Sequence, residues 1–232
     1  MKILNSEFVT SAAAGGGATG IPRDGLAQFA FAGRSNVGKS SLLNALTRQK
    51  VARTSAAPGK TRLANIFRVT AEGGPGGPGR WSCYFVDLPG YGYARGGDDA
   101  AKELAAVAEA YFGASAGAAA GTRGPGLGAR AAFLLVDSRH PGLTSDVQAH
   151  RWLSRAAGDA YIVATKVDKL SRAERTRNLR ELERVFGKTA QPVSATSGEG
   201  MDELWRTIAN LARGIGHKAA DDGTRAEDAS RK

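Results

Sequence analysis

The chain has 232 residues, with 32 Lys and Arg against 22 Asp and Glu, and a formal charge of +10. That length suits one globular domain with short tails, able to bury a core without metal staples, and the single Cys83 rules out an internal disulfide. No apolar run approaches the ~20 residues a spanning helix needs. The N-terminus also lacks the sustained apolar stretch of a signal peptide, so the expectation is a cytoplasmic protein without membrane insertion.

In chain order, residues 1–25 read as a Gly/Ala-rich flexible arm with a turn at Pro22–Gly25, and residues 26–213 as the folded domain. Ala27–Ala32 predicts a short buried strand broken by Gly33. A helix follows Lys39, with Leu42, Leu43 and Leu46 on one face. Val51–Leu63 has no period and reads as a loop. Strands are expected at Ala64–Thr70 and Trp81–Val86, joined by a Gly/Pro-rich insertion near 71–80 that reads as an enlarged hairpin loop. Asp98–Phe112 predicts an Ala-rich helix, and residues 113–130 a low-complexity insertion. Strand Ala131–Val136, helix Leu143–Ala156, strand Ala160–Ala164, helix Arg172–Phe186, strand Ala190–Val193 and helix Met201–Arg213 complete the pattern. Residues 214–232 are dense in charge and poor in apolar groups, and predict a disordered tail. Strands alternating with helices of this length imply an α/β, three-layer fold. Its sheet is six-stranded and mostly parallel, with helices on both faces.

The loop between the first of these strands and its helix, GRSNVGKS, fits G-x-x-x-x-G-K-[ST] at Gly33, Arg34, Ser35, Asn36, Val37, Gly38, Lys39 and Ser40. Gly33 and Gly38 let the backbone wrap so that successive N–H groups point at phosphate oxygens, and the positive end of the following helix adds to that field. Lys39 would reach the β- and γ-phosphates, and the Ser40 hydroxyl would ligate Mg²⁺. A chance Gly-Lys-Ser turn is the bland alternative, but the strand and helix flanks argue against it.

Three weaker boxes follow in order. Asp87, Leu88, Pro89 and Gly90 fit D-x-x-G at a strand end: Asp87 could hold a Mg²⁺-bound water and the Gly90 N–H a γ-phosphate oxygen, although such a turn also ends ordinary strands. Thr165, Lys166, Val167 and Asp168 fit [NT]-K-x-D. The Asp168 carboxylate can accept guanine N1–H and the 2-amino group, while the Lys166 stem covers the base. Adenine offers neither donor and would leave Asp168 unpaired. Val193, Ser194 and Ala195 close the series, with the Ala195 N–H able to donate to guanine O6. Each box stands at a strand's C-terminal end, where open α/β sheets bind ligands. Together they point to a guanine nucleotide, GTP or GDP.

With these residues in view the chain resembles the EngB (YihA/YsxC) family of bacterial GTPases, of the TrmE–Era–EngA–EngB–Septin class. The resemblance rests on FAGRSNVGKSSLLNAL (Phe31–Leu46), TSAAPGKTR (Thr54–Arg62), FVDLPGYGYA (Phe85–Ala94), DSRHP (Asp137–Pro141) and TKVDKL (Thr165–Leu170). It implies a P-loop GTPase fold and makes Gly59, Lys60, Thr61, Arg62 and Leu63 a switch segment, with Thr61 completing the Mg²⁺ shell beside Ser40. It also implies a role in large ribosomal subunit assembly and in cell division and septation. The positive charge, with Arg34, Arg48, Arg53, Arg62 and Arg68 near the nucleotide motifs, suits a partner rich in ribosomal RNA, though a basic surface can serve solubility alone. A free monomer is expected.

Lys39, Thr61 and Gly90 are the expected catalytic contacts. Ras-like enzymes place a water-orienting glutamine after D-x-x-G; here Tyr91 stands there, which predicts slow hydrolysis that a partner accelerates. Related GTPases with asparagine at the position of Asn36 can use it to coordinate K⁺, or the residue merely shapes the loop. His140 reads as a turn residue rather than a base. A scaffold for which GTP binding but not hydrolysis matters is the competing reading.

Overall fold

The computed structural model describes residues 1–13, 21–52, 63–75, 77–91, 111–112, 130–157 and 160–214. The centre of the sheet is made by strands whose side chains alternate between two buried faces. In β2 (Ala27–Gly33) and the strand reached from it across the sheet, Arg130–Asp137, Phe29, Phe31, Phe133 and Leu135 enter one core. Ala30, Ala32, Leu134 and Val136 enter the other. A strand covered on both sides has no polar face, which is why both segments read as apolar runs.

The remaining strands are β1 (Lys2–Ala13), β3 (Leu63–Glu72), β4 (Arg80–Asp87), β6 (Ala160–Thr165) and β7 (Ala190–Pro192), with Arg130–Asp137 as β5; their order is β1-β3-β4-β2-β5-β6-β7. β4, β2, β5, β6 and β7 run parallel, and β3 pairs antiparallel with both β4 and β1. The β3–β4 connection is the expected hairpin, closed by the Gly73 N–H on the Gly79 carbonyl at 3.2 Å.

Among the described residues the faces are covered by α1 (Lys39–Thr47), α2 (Thr144–Ala157), α3 (Arg172–Phe186) and α4 (Met201–Arg213). α1 and α4 bury Leu42, Leu43, Leu46, Leu204, Trp205 and Ile208 against the Phe-rich face, where the Trp205 indole donates to the Leu46 carbonyl at 3.1 Å. α2 and α3 bury Leu153, Leu182 and Phe186 on the opposite face. The three-layer α/β reading holds. Of the helix expected over 98–112 only Tyr111 and Phe112 are described, both helical and buried. Burial pushes the Cys83 thiol well up, leaving it inert. Among the described residues no helix is long and apolar enough to cross a membrane.

One expectation is corrected. The sheet has seven strands rather than six, because Lys2–Ala13 of the expected arm forms β1, paired antiparallel with β3 from Lys2 opposite Glu72 to Ala13 opposite Leu63, with register shifts at Ile3/Asn5 and Phe8/Thr10. The glycines of residues 1–25 all lie after Ala14, and the segment before it includes Ile3, Phe8, Val9 and Thr10, side chains that favour strands. Phe8 lies edge-on to Phe67, and Ser11 donates to Asn65 at 2.7 Å. The stretch just before β2 is also tied down: Ile21 is buried and the Tyr84 hydroxyl donates to Asp24 at 2.7 Å. The insertion at 113–129 and the tail from 215 lie outside the described residues.

Candidate nucleotide-binding site

The Gly33–Ser40 loop joins β2 to α1, and its residue types follow from its packing. A Cβ on Gly33 would lie 2.8 Å from Val37 Cγ1 and 3.1 Å from the Leu135 carbonyl, so only glycine fits there. Gly38 and Asn36 take left-handed φ values of 104° and 64°, a conformation asparagine tolerates better than most side chains. Val37 is buried and its carbonyl accepts from the Thr165 hydroxyl at 2.7 Å, pinning the phosphate loop to β6.

Lys39 Nζ pairs with Asp87 Oδ1, and both side chains are nearly buried. The Asp87–Gly90 segment then crosses the phosphate loop. The Leu88 N–H donates to the Phe31 carbonyl at 3.0 Å and the Ser35 N–H to the Tyr91 carbonyl at 2.9 Å. A Cβ on Gly90 would approach Ser35 Oγ to 3.1 Å. Pro89 completes this turn. In this conformation Lys39 and the Ser35 N–H are therefore satisfied from within the chain.

The Ser40 hydroxyl and the Asp87 carboxylate are both hard oxygen donors. Among the described residues no three His, Cys, Asp or Glu side chains gather as a metal cluster. A cation here would take its other positions from nucleotide phosphates and water, and this donor set fits Mg²⁺. Gly59, Lys60, Thr61 and Arg62 lie outside the described residues, and Leu63 opens β3.

At the base end, Lys166 has φ 61° and donates to the Asn36 carbonyl at 2.6 Å and to Asp137 Oδ2 at 2.9 Å. Arg139 grips the same carboxylate with two guanidinium bonds of 2.9 and 2.7 Å. Burial opposes ionisation of Asp137, but the bonds from Arg139 and Lys166 prevail and hold it well below the usual carboxylate range. Asp168 accepts from the Ser194 hydroxyl at 2.7 Å, a bond that lowers its pKa. The same Ser194 oxygen accepts the N–H groups of Thr196 and Ser197. Val193 is held by its N–H on the Ala164 carbonyl, and the buried Val167 lies alongside. A cleft of about 180 Å³ runs from Gly38 past Lys166 and Asp168 to Val193 and Ala195.

The fold thus brings the phosphate loop, the Asp87 turn, the Lys166–Asp168 loop and the Ser194 loop to one edge of the sheet. Two residues with roles here were not assigned one from sequence. Asp137 ends an apolar strand, as Asp87 does, and that placement was a usable signal. Asp146, in the first turn of α2, accepts from the buried Tyr91 hydroxyl at 2.9 Å; in sequence it reads only as a helix-start acid. The His140 N–H closes a turn on the Asp137 carbonyl at 2.9 Å.

Residues 28–166 match the family model described as a 50S ribosome-binding GTPase. The crystal structure of Aquifex aeolicus Era bound to GDP·AlF4⁻ superposes with a TM-score of 0.59 at 20% identity, covering 81% of this chain and 57% of that one. That of a probable GTP-binding protein EngB gives 0.56 at 22% identity, covering 81% and 99%. Fold and site define a P-loop GTPase. Among curated sequences, the probable GTP-binding protein EngB of Pelotomaculum thermopropionicum is 39% identical over 90% of this chain and 96% of its own length. That of Clostridioides difficile is 33% identical over 96% and 100%. The chain belongs to the EngB family of GTP-binding proteins.

Proposed function

We propose that this protein is a GTP-dependent switch acting in large ribosomal subunit assembly and needed for normal cell division and septation. GTP and GDP would lie with phosphates on Gly33–Ser40 and the base in the cleft at Asp168, and Mg²⁺ would be held by Ser40, Thr61 and, through water, Asp87. The observation that carries the reading is the Asp168 carboxylate, ionised and aimed by Ser194, in a cleft continuous with Gly38 of the phosphate loop. That arrangement selects guanine by matching its two donors. The family description and the charge of +10 support a ribosomal partner.

Hydrolysis by the free protein is slow. The side chain after Gly90 belongs to Tyr91, buried and bonded to Asp146, so it orients no water. The same observation keeps a second reading alive, a scaffold that needs GTP bound but not hydrolysed. Sedimentation with large ribosomal subunits in GDP, in a non-hydrolysable GTP analogue and without nucleotide tests the first reading: nucleotide-dependent co-sedimentation with subunit-stimulated turnover is expected. Equal binding in all three states would sink the switch. Assembly restored by a variant that binds GTP without hydrolysing it would favour the scaffold.

A further inference from the structure

Helix α3 lies outside the nucleotide site and carries five arginines, at 172, 175, 177, 180 and 184, and no lysine. Its inner face is fixed by Leu182 and Phe186 in the core and by the Asn178 amide, which donates to the Ser138 carbonyl at 2.9 Å. Its ends are fixed by the Ser171–Glu174 capping box and by Gly187. The arginines therefore stand on a rigid rod. From Arg172 to Arg184 it spans roughly 18 Å at 1.5 Å per residue.

Most of the acidic neutralisation on this helix is already committed. Glu174 serves the cap, Arg175 pairs with Glu199, and Glu181 pairs with Arg184. Among the described residues Arg172, Arg177 and Arg180 make no close ion pair; Arg177 bonds the Asn178 side-chain oxygen at 3.3 Å and feels the Glu174 charge only at longer range. All three are exposed and line an open groove of about 910 Å³ beside Pro141.

We infer that this arginine face of α3 docks on the phosphodiester backbone of RNA. Guanidinium forks suit phosphate oxygens better than point charges do. The exposed positions between the arginines, Ala173, Glu174, Thr176 and Glu183, offer no bulky apolar group to enter a lipid surface. The inference rests on the ribosomal reading above and names the surface that would make the contact.

The test compares wild type with two triple variants of the full chain, on a short A-form RNA duplex and on purified large ribosomal subunits across a salt series. Arg172→Ala, Arg177→Ala and Arg180→Ala together should weaken both complexes about tenfold or more and reduce the salt slope by roughly 2, at about 0.7–0.9 per phosphate contact. Lys2→Ala, Lys50→Ala and Arg80→Ala remove the same charge elsewhere and should change affinity less than about threefold on that account. GTP affinity, equal in all three proteins, reports that each is folded. Equal weakening by both triples would overturn the inference, because net charge alone would then explain binding. Undiminished binding by the α3 triple overturns it while leaving the ribosomal reading intact. Duplex binding through α3 without subunit binding in any nucleotide state keeps the inference and removes that reading. Binding to neither RNA, or α3-dependent capture only by phosphatidylglycerol vesicles or polyglutamate, overturns the inference.

Discussion

The Lys166 ammonium reaches across from the base loop and donates to the Asn36 carbonyl at 2.6 Å, and both residues hold left-handed backbones. Such backbones cost about 1–2 kcal/mol for an ordinary side chain and persist where the surroundings over-determine them. Here the surroundings are Asp137, which holds Lys166, and the Val37–Thr165 bond, which holds the loop under it. Phosphate end and base end are thus tied into one mechanical unit by the chain's own bonds.

Asp137 is the anchor of that unit, and its ionisation gives a pH signature. Its carboxyl is held below its ordinary 3.8. The folded chain then binds fewer protons than the unfolded one between those two values, so this contribution is complete above 3.8 and fades as pH falls through the folded pKa. Asp137→Asn should cost about 1 kcal/mol near neutral pH, and the difference from wild type should shrink in strongly acid solution. Urea midpoints across that range check it; a pH-independent difference would mean the charge is irrelevant.

Guanine selection is tested at Asp168. Asp168→Asn replaces one acceptor oxygen by a donor, and GTP affinity should fall by about 100-fold or more. Xanthosine triphosphate, with an oxygen where guanine has its 2-amino group, should bind the variant better than GTP does. Ser194→Ala, which removes the orienting bond, should weaken GTP by about fivefold, near 1 kcal/mol. Calorimetric titration with both nucleotides decides it, and retained GTP preference in the Asp168→Asn variant would move the base elsewhere.

The elements that sequence delimits best are those with local punctuation. α3 runs from Arg172 to Phe186 as expected because Ser171 and Glu174 cap it and Gly187 stops it, and α4 likewise ends at Gly214. The phosphate loop is legible because Gly33, Asn36 and Gly38 stand where local backbone geometry asks for such residues. β1 is not, because an edge strand needs only one buried face and its pairing with β3 is set by a distant segment. The Asp137–Lys166 contact arises because β5 and β6 end side by side in the sheet, and the Tyr91–Asp146 bond joins residues 55 apart. Neither separation leaves a trace in periodicity.

Asn36 is the exposed residue of the phosphate loop, and its side-chain amide has no hydrogen-bond partner among the described residues. An amide oxygen so placed can enter the shell of a monovalent cation beside the phosphates. Turnover with ribosomal subunits should then be faster in KCl than in NaCl at equal ionic strength, and Asn36→Ala should abolish the difference while GDP affinity changes less than about threefold. No K⁺ preference in wild type, or one that survives Asn36→Ala, would leave the side chain a loop-shaping role only.

The Tyr91–Asp146 bond makes the position after Gly90 a structural one, with opposite consequences for its two partners. Burial raises the Asp146 carboxyl above 3.8, although the Tyr91 bond and nearby Arg34 oppose this. A raised folded pKa contributes stability that is complete below 3.8 and is lost as pH rises through the folded value, so at neutral pH the buried charge is a cost. Asp146→Asn keeps an oxygen for the Tyr91 hydroxyl without a charge to desolvate. It should match or exceed wild-type stability near neutral pH, with wild type gaining on it as pH falls toward 4. Tyr91→Phe does the reverse: it leaves the carboxylate without its donor and should cost about 1–3 kcal/mol. That penalty should be smaller when Asp146→Asn is already in place, as a double-mutant cycle would measure. Because the Tyr91 hydroxyl faces Asp146, the same Tyr91→Phe variant should keep GTP turnover within about threefold of wild type. A neutral Tyr91→Phe in unfolding would remove the structural role of the hydroxyl, and a large loss of turnover by a stably folded Tyr91→Phe variant would show that the hydroxyl acts on the nucleotide.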